Sequence, residues 1–338
     1  MTTIRVLIAE DSDAMRNTLE TLLGLDPRIE VIGTARDGIE AVELAKSLRP
    51  DLITMDVQMP RLDGVEATAR IMSECPARIL MVSAYADDSQ IDLSFRAIAA
   101  GALEVVAKPA SANANELRAW ARYVCDTIVL MAEVPIITRS RRSRTTLTEP
   151  RVDIVAIAAS TGGPLALAKL LAALPPDLPV PILVAQHIAE GFTEGMVRWL
   201  GKITKLSVRV AEDGTPVAPA HVYFPPDGHD LEITEGQILR TPAACERYAP
   251  SGDLLLSAVA RHYRTRALGI VLTGMGEDGA LGLRALRDAG GITLAQSQES
   301  CVVFGMPQAA VKAGGTTDLR SIEGLVAGIL EYTRRGLV

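Results

Sequence analysis

Residues 4–12, "IRVLIAEDS", indicate the fold class of the first part of the chain. Four consecutive apolar residues, VLIA, lead into two acidic residues, and residues 14–25 then continue with apolar positions at helical spacing. A short apolar run followed by an amphipathic helix is the repeating unit of a parallel sheet covered by helices. The stretch therefore predicts the first strand and the first helix of an α/β domain.

The same strand-and-helix unit recurs through residue 133. Four more apolar runs follow, "EVIGTA", "DLITMD", "RILMVSA" and "EVVAK", and each precedes an amphipathic stretch, at residues 38–48, 65–72, 91–100 and 115–132. Five such units predict a flavodoxin-like (βα)5 domain with a doubly wound parallel sheet. We place this domain at residues 1–133.

The next segment, "VPIITRSRRSRTTLTEP" at residues 134–150, differs in composition from its surroundings. It is basic, rich in Ser and Thr, and has no apolar period after Ile137. These features favour a linker. An ordered surface loop is the alternative, although 17 residues is long for one.

A second α/β domain is predicted over residues 151–338. Its apolar runs include "VDIVAIAAS", "VPILVAQH", "ALGIVLTG" and "GITLAQ", with amphipathic stretches after or between them. Residues 221–242, "HVYFPPDGHDLEITEGQILRTP", alternate polar and apolar positions between turn residues, which predicts antiparallel strands. The second domain is therefore expected to be a doubly wound, mostly parallel α/β fold with an antiparallel β insert.

Length and composition agree with two cytoplasmic domains. The chain has 338 residues and a formal net charge of −7, and only 4% of its residues are aromatic, which argues against a nucleic-acid partner. The N-terminus lacks a signal-peptide pattern, and no apolar run approaches the roughly 18 residues of a membrane span, so direct membrane insertion is not expected. The four cysteines are far apart and favour neither a zinc site nor a disulfide framework.

Polar residues follow the predicted strands of the first domain. Glu10 and Asp11 follow the first strand, and Asp56, Ser83 and Lys108 follow the later ones. In a parallel sheet these positions meet at one edge, where clustered carboxylates require a hard cation such as Mg²⁺. Lys108 supplies a compensating charge, Ser83 a hydroxyl, and Asp56 a carboxylate able to attack phosphorus. Taken alone, acidic residues at strand ends are more often solvated groups or helix caps.

The motifs "AEDS", "MDVQMPRLDG", "VSA" and "KP" together resemble the response-regulator receiver family. The resemblance implies that a partner histidine kinase phosphorylates Asp56. It also implies that Glu10, Asp11 and Asp56 bind Mg²⁺, while Ser83 and Lys108 act as the receiver switch. Glu10 is longer than the aspartate more common in the family.

Two residues at strand ends of the second domain are candidates for nucleophilic catalysis. Ser160 ends an apolar strand and precedes "TGGP", where a tight turn leads into a helix whose N–H groups favour developing negative charge. His187 is the one histidine among the four that closes an apolar strand. A helix-capping serine and a buried, hydrogen-bonded histidine are the alternatives.

The stretch "LTGMGEDGALG" at residues 272–282 follows a third strand and contains G-x-G-x-x-G. This spacing is typical of dinucleotide-binding loops, but Glu277 and Asp278 would place carboxylates against the pyrophosphate. If Asp278 shares the sheet edge with Ser160 and His187, it can instead orient the imidazole while His187 takes the serine proton. The chain order and the sequence "AASTG" disfavour the α/β-hydrolase superfamily.

The motifs "AASTGGP", "AQHI", "PSGDLLLSA", "LTGMGEDGALG" and "GGITLAQSQESCVVFGMP" resemble the chemotaxis protein-glutamate methylesterases. The resemblance implies a carboxylic ester hydrolase that removes methyl groups from γ-glutamyl esters of chemoreceptors and also deamidates receptor glutamines. It assigns Ser160 as nucleophile, His187 as base, Asp278 as its orienting acid and the Met275 backbone N–H as an oxyanion donor. It implies no cofactor in the esterase domain.

The resemblance further implies that the unphosphorylated receiver covers the esterase cleft, so that phosphorylation relieves inhibition. Two departures from the family pattern are candidates for altered substrate choice: Ala249 stands where Arg is common, and Ser297-Gln298 replaces a commonly acidic pair. The alternative function is a non-enzymatic adapter, whose receiver would switch binding of the second domain to a partner without requiring His187 or Asp278.

Overall fold

The computed structural model describes residues 3–83, 88–109, 114–132, 152–234, 239–244 and 249–333. The chain divides into two compact units, Met1–Thr138 and Arg139–Val338. The segment predicted as a linker, residues 134–150, lies outside the described residues. The domain boundaries 1–133 and 151–338 therefore stay predictions.

The first unit alternates five strands with five helices, as the sequence predicts. The strands are β1 (Ile4–Ala9), β2 (Ile29–Ala35), β3 (Leu52–Asp56), β4 (Arg78–Ser83) and β5 (Glu104–Ala107). The helices are α1 (Asp13–Gly24), α2 (Gly38–Leu48), α3 (Gly64–Glu74), α4 (Asp88–Ala100) and α5 (Ala114–Ala132). The strands form one sheet in the order β2-β1-β3-β4-β5, and every pairing is parallel.

Both faces of this sheet are covered, because its strands are apolar on both sides. Val6 and Ile8 pack with α1 and α5 residues such as Leu19 and Ile128 in one cluster. The alternate residues of the same strand, Leu7 and Ala9, belong to a second cluster. Successive side chains of the strand point to opposite faces and thus pack into two hydrophobic layers, as expected for a doubly wound sheet.

Local capping explains where several helices begin. Ser12, Asp37 and Asp63 each precede a helix in this unit, and each side chain accepts a backbone N–H from the first turn. Ser251 does the same in the second unit. These side chains satisfy N–H groups that have no partner within the helix, which favours helix initiation at these residues.

The second unit contains nine strands and six α-helices among its described residues. The strands are β6 (Ile154–Ala159), β7 (Ile182–Gln186), β8 (Ser207–Val210), β9 (His221–Phe224), β10 (Glu232–Ile233), β11 (Leu239–Arg240), β12 (Ala267–Val271), β13 (Ile292–Gln296) and β14 (Leu319–Arg320). The helices are α6 (Gly163–Ala172), α7 (Thr193–Ile203), α8 (Gly252–Tyr263), α9 (Ala280–Asp288), α10 (Gly305–Lys312) and α11 (Ile322–Thr333).

Seven of these strands form one parallel sheet in the order β14-β13-β12-β6-β7-β9-β8. This confirms the predicted α/β fold class. The antiparallel insert predicted for residues 221–242 is confirmed in part, since β10 and β11 pair in the antiparallel sense. His221–Phe224 instead pairs in parallel with both β7 and β8, because its three apolar residues are buried.

The strands β12, β6 and β7 lie side by side in the middle of this sheet, flanked by other strands on both sides. Ala158 and Val271 pack with the helices α8 and α9 in one hydrophobic cluster, which includes Leu256 and Leu283. The carboxyl ends of these three strands are therefore held on a rigid support.

Within the described part of the chain, no helix combines the length and the apolar character that crossing a membrane requires.

Candidate functional site

The first unit brings its predicted polar residues together at the carboxyl edge of the sheet. Oxygen atoms of Glu10, Asp11 and Asp56 all lie within 4.8 Å of one another, because β1 and β3 are paired neighbours. The Lys108 Nζ atom lies 2.8 Å from Glu10 Oε2 and 3.0 Å from Asp56 Oδ2. Ser83 is buried at the end of β4, one residue beyond the partner of Asp56 in the sheet register.

This pocket carries more negative charge than its lysine balances. Burial, followed by the neighbouring Asp56 charge, raises the pKa of Glu10. Burial likewise raises the pKa of Asp56, although Lys108 acts in the opposite direction. Burial disfavours the charged form of Lys108, yet the Asp56 and Glu10 carboxylates outweigh it and raise the pKa of Lys108.

The donor set fits a hard divalent cation. Three carboxylates face one ammonium group, and oxygen ligands of this kind are those that Mg²⁺ prefers. Asp11 is exposed to solvent, so an ion would have an open approach on that side. The residues present therefore match the magnesium site that the sequence predicts.

In the second unit, the three candidate catalytic residues follow three adjacent strands. Ser160 follows β6, His187 follows β7, and Asp278 lies in the loop after β12. The sheet register pairs Ala159 with Gln186, so the next residues on the two strands, Ser160 and His187, are neighbours. The strand order β12-β6-β7 thus brings residues more than 100 positions apart in the chain to one edge.

His187 and Asp278 are in direct contact. The His187 Nε2 atom lies 2.8 Å from Asp278 Oδ2, and the two side chains are 16% and 20% exposed. Burial raises the pKa of Asp278, but hydrogen bonds from His187 and from the Asp253 and Gly252 N–H groups outweigh it, and the pKa is lowered overall. The carboxylate is therefore an acceptor at neutral pH, which places the imidazole proton on Nε2.

Asp278 also lies at the N-terminus of helix α8, which the sequence reasoning missed. Its carboxylate accepts the Gly252 N–H at 2.6 Å and the Asp253 N–H at 2.9 Å, and the Ser251 hydroxyl donates to it at 3.2 Å. These donors fix the carboxylate and favour its negative charge. The signal was present in "PSGD", since Ser251 is a helix-capping residue followed by glycine.

Gln186 is a second residue that the sequence reasoning missed. Its side chain is 2% exposed, and its Nε2 atom donates to Ser160 O at 2.9 Å and to His187 O at 2.7 Å. One amide thus joins the backbones of the predicted nucleophile and the predicted base. The available signal was a polar residue at the end of the otherwise apolar strand "PILVAQ".

The glycine-rich loop after β12 contacts the nucleophile at its first residues. The Ser160 N–H donates to Thr273 O at 3.0 Å, and the Gly305 and Met306 N–H groups donate to Gly274 O. Glu277 is exposed, whereas Asp278 is directed at His187. The acidic residue that argued against a dinucleotide therefore has a defined partner. Met275 lies in this loop between Thr273, which accepts the Ser160 N–H, and Asp278.

A cavity of about 210 Å³ lies beside this edge of the sheet. Gln186 and Ile188, on either side of His187 in the chain, form part of its wall, together with Glu190 and the Ala249-Pro250 pair. Ala249, one of the two departures from the family pattern, therefore lines a space next to the candidate catalytic residues.

Comparison with known proteins gives the same picture for both units. The family described as CheB methylesterase matches residues 155–329, and the response regulator receiver domain matches residues 6–121. The crystal structure of the Thermotoga maritima CheB methylesterase catalytic domain is similar with a TM-score of 0.51 and 32% identity, covering 53% of this chain and 98% of that one.

Full-length relatives are similar over nearly the whole chain. Protein-glutamate methylesterase/protein-glutamine glutaminase 3 of Myxococcus xanthus is 52% identical over 316 residues, which are 93% of this chain and 89% of the relative. Protein-glutamate methylesterase/protein-glutamine glutaminase 2 of Anaeromyxobacter dehalogenans is 41% identical over 337 residues, which are 98% of this chain and 97% of the relative. This chain belongs to the CheB methylesterase family and carries a response regulator receiver domain at its N-terminal side.

Proposed function

We propose that this protein is a phosphorylation-activated protein-glutamate methylesterase that hydrolyses γ-glutamyl methyl esters of chemoreceptors and deamidates receptor glutamines. The observation that carries the proposal is the 2.8 Å contact between His187 and Asp278, at the strand end next to Ser160, in a chain of this family. A non-enzymatic adapter is not favoured, because it gives the contact between His187 and Asp278 no role.

In the proposed reaction, the Ser160 hydroxyl attacks the ester carbonyl while His187 takes its proton. Because Nε2 faces Asp278, we assign the proton exchange with Ser160 to the other ring nitrogen, Nδ1. The Met275 N–H stabilises the oxyanion of the tetrahedral intermediate. Methanol then leaves with the proton from His187, and water hydrolyses the acyl-enzyme by the same steps in reverse. With a glutamine substrate, ammonia leaves instead of methanol.

Asp278 contributes through orientation and charge. Its carboxylate holds the imidazole in one tautomer and stabilises the imidazolium that forms when Ser160 loses its proton. The N–H groups at the start of α8 keep this carboxylate in place. All groups used in these steps belong to the chain itself.

In the receiver domain, we propose Asp56 as the phosphoacceptor for a partner histidine kinase. Glu10, Asp11 and Asp56 would hold Mg²⁺, which when bound neutralises charge on the incoming phosphoryl group. Lys108 would pair with the phosphorylated side chain, and its contact with Asp56 supports this role. Ser83 supplies the hydroxyl for the receiver switch. A histidine kinase and chemoreceptor partners agree with a cytoplasmic location for this protein.

The wall of the 210 Å³ cavity supports a role for Ala249 in substrate choice. A methyl group at this position leaves room that a longer side chain would occupy. We propose that the receptor segment next to the modified glutamate contacts this region.

The test of the proposal is the substitution Ser160→Ala. The variant lacks the nucleophile, and we expect methanol release from purified methylated receptor to fall to the background rate. Ser207→Ala is a matched control, because Ser207 begins the edge strand β8, and it is expected to retain full activity. Full activity of Ser160→Ala in a folded protein would refute the assignment.

A further inference from the structure

Thr273 lies at the centre of a buried polar network behind the candidate site. The residue is completely buried, in the loop between β12 and the glycine-rich stretch. Its hydroxyl oxygen lies 2.9 Å from Thr161 O, 3.2 Å from Val303 O and 2.9 Å from Val303 N. A fully buried hydroxyl with three polar neighbours is a strong local constraint, since breaking its bonds leaves buried groups unsatisfied.

A hydroxyl group cannot donate a hydrogen bond to both of these carbonyl groups at once. Threonine has one O–H proton, so it donates to one carbonyl at a time, and the shorter distance favours Thr161 O. Its oxygen simultaneously accepts the Val303 N–H. One side chain therefore bridges the turn after the nucleophile and the segment that precedes helix α10.

The backbone of Thr273 extends the same bridge. Its carbonyl oxygen accepts the Ser160 N–H at 3.0 Å, and its N–H donates to Gln296 Oε1 at 2.8 Å. The next residue, Gly274, donates its own N–H to Val303 O at 3.1 Å. The segment that contains the nucleophile is thus bonded to the loop that contains the oxyanion donor, and this loop is bonded in turn to the segment before α10.

We propose that the Thr273 hydroxyl is a positioning group that sets the distance between the Ser160 hydroxyl and the Met275 N–H. This inference rests on the proposed function. Thr273 itself does not contact the substrate, because it is completely buried. It acts through Thr161, adjacent to the nucleophile, and through Val303, which also bonds Gly274, adjacent to Met275.

The contribution of the hydroxyl can be separated from that of the backbone. In Thr273→Val the shape and the two backbone hydrogen bonds are kept, while the bonds to Thr161 O and from Val303 N are lost. Catalysis is sensitive to small displacements of reacting groups, and a misplaced oxyanion donor lowers the rate of the chemical step. Substrate contacts outside these segments are unaffected, so kcat should change and KM should not.

The experiment compares full-length Thr273→Val and Thr273→Ser with the wild type, with methanol release from methylated receptor as the readout. We expect Thr273→Val to lower kcat by about 10-fold or more and to leave KM within about twofold. Thr273→Ser keeps the hydroxyl and should restore most of kcat. The pH profile of kcat/KM should keep its shape, because Thr273 has no hydrogen bond to His187 or Asp278 among the described contacts.

Thr316→Val is the matched control. The Thr316 hydroxyl is also buried in this unit and donates to Thr293 O at 2.7 Å, but it joins the strand β13 to the segment before β14. This variant should lose stability in thermal melts and retain kcat. Ser160→Ala separates the two proposals: if it stays active the proposed function fails, and if it is inactive while Thr273→Val is fully active, only the present inference fails.

The inference is overturned if Thr273→Val retains wild-type kcat, if Thr273→Ser is as impaired as Thr273→Val, or if Thr316→Val loses as much kcat. Should Thr273→Val fail to fold, Thr273→Cys carries the test, since a thiol is close in size and a weak hydrogen-bond donor. A folded Thr273→Cys protein with reduced kcat and unchanged KM would support the inference, and one with full kcat would overturn it.

Discussion

At the scale of single residues, Asp278 serves two parts of the molecule. It contacts the His187 ring, and it accepts two backbone N–H groups at the N-terminus of α8. A carboxylate at a helix N-terminus is stabilised by the unpaired N–H groups and by the helix dipole. The same residue therefore links the stability of the domain to the orientation of the proposed base.

This arrangement predicts a pH dependence of stability. The pKa of Asp278 is lowered in the folded protein from its ordinary value of 3.8, so the folded state binds this proton less readily than the unfolded state. Its stabilising contribution is therefore complete above pH 3.8 and is lost as the pH falls through the folded pKa. The difference in the free energy of unfolding between wild type and Asp278→Asn should shrink below pH 3.8 in urea titrations.

The matched control is Asp288→Asn on helix α9. Asp288 and its partner Arg284 are 59% and 50% exposed, so solvent screens their interaction. The difference in the free energy of unfolding between wild type and Asp288→Asn should therefore be small at every pH. A wild-type advantage over Asp278→Asn that grows as the pH falls below 3.8 would contradict the assigned role of Asp278.

At the scale of elements, the loop between β12 and α9 depends on close backbone approach. A Cβ atom on Gly274 would overlap Met306 Sδ and would lie 2.7 Å from Ser160 Cβ. No side chain fits here without moving either the loop or the nucleophile. This packing explains a glycine at residue 274 without reference to a phosphate ligand.

Gly274→Ala is therefore expected to displace the Met275 loop from Ser160. We predict that kcat for methanol release falls by about 100-fold, since displacements of this size affect the reacting geometry. Circular dichroism and thermal melts should show a folded domain of reduced stability. Wild-type activity of Gly274→Ala would show that the loop and the nucleophile need not be this close.

Gly201→Ala provides the comparison within the same domain. Gly201 is exposed in helix α7, and nothing lies within 4 Å of a Cβ atom added there. Alanine in a helix interior is more stable than glycine by about 0.5–1 kcal/mol. This variant should melt at a slightly higher temperature with unchanged kcat.

At the scale of the whole molecule, two compact units carry separate sites. The receiver pocket is built from the strand ends of the first sheet, and the Ser160, His187 and Asp278 group from those of the second. A chain with both sites can couple phosphorylation to ester hydrolysis if the receiver favours different arrangements of the molecule in its two states. Coupling of this kind has a measurable free energy and a defined direction.

We predict that removing residues 1 to about 145 raises the basal esterase rate, by about 5- to 100-fold for a typical coupling energy. In the intact protein, Asp56→Asn should prevent stimulation by a phosphodonor, because the acceptor carboxylate is absent. Asp126→Asn on α5, which removes an exposed pairing with Arg28, should respond like wild type. A truncated protein no faster than the intact one would contradict a covering receiver.

Much of the architecture was predictable, because in a parallel sheet the local sequence pattern also indicates where in the sheet a residue lies. Short apolar runs mark the strands, and polar residues that directly follow them must gather at one sheet edge. The cluster of Glu10, Asp56 and Lys108 was predicted in this way, and Asp278, in the loop after a third strand, was predicted to orient His187 if it shares the sheet edge. The predicted helix bounds at residues 38–48 agree fully with α2.

Other features were not predictable, because local sequence does not specify them. The strand β9 joins the main sheet instead of a hairpin, since a run as short as His221–Phe224 fits a parallel as well as an antiparallel pairing. Helix α10 begins after Phe304, whose side chain makes no capping hydrogen bond, so no start signal marks it.

Most of the strands and helices, the two groups of chemically active residues and the family to which they point follow from the amino-acid sequence alone. Three features appear only in the folded molecule: the backbone N–H groups that bind Asp278, the bonds by which Gln186 joins two strand ends, and the bonds by which Thr273 connects three segments. The physical reason is distance along the chain. The spacing of apolar residues indicates which residues share a face of one helix or strand. These hydrogen bonds instead join residues that come together only when the sheet and its helices pack.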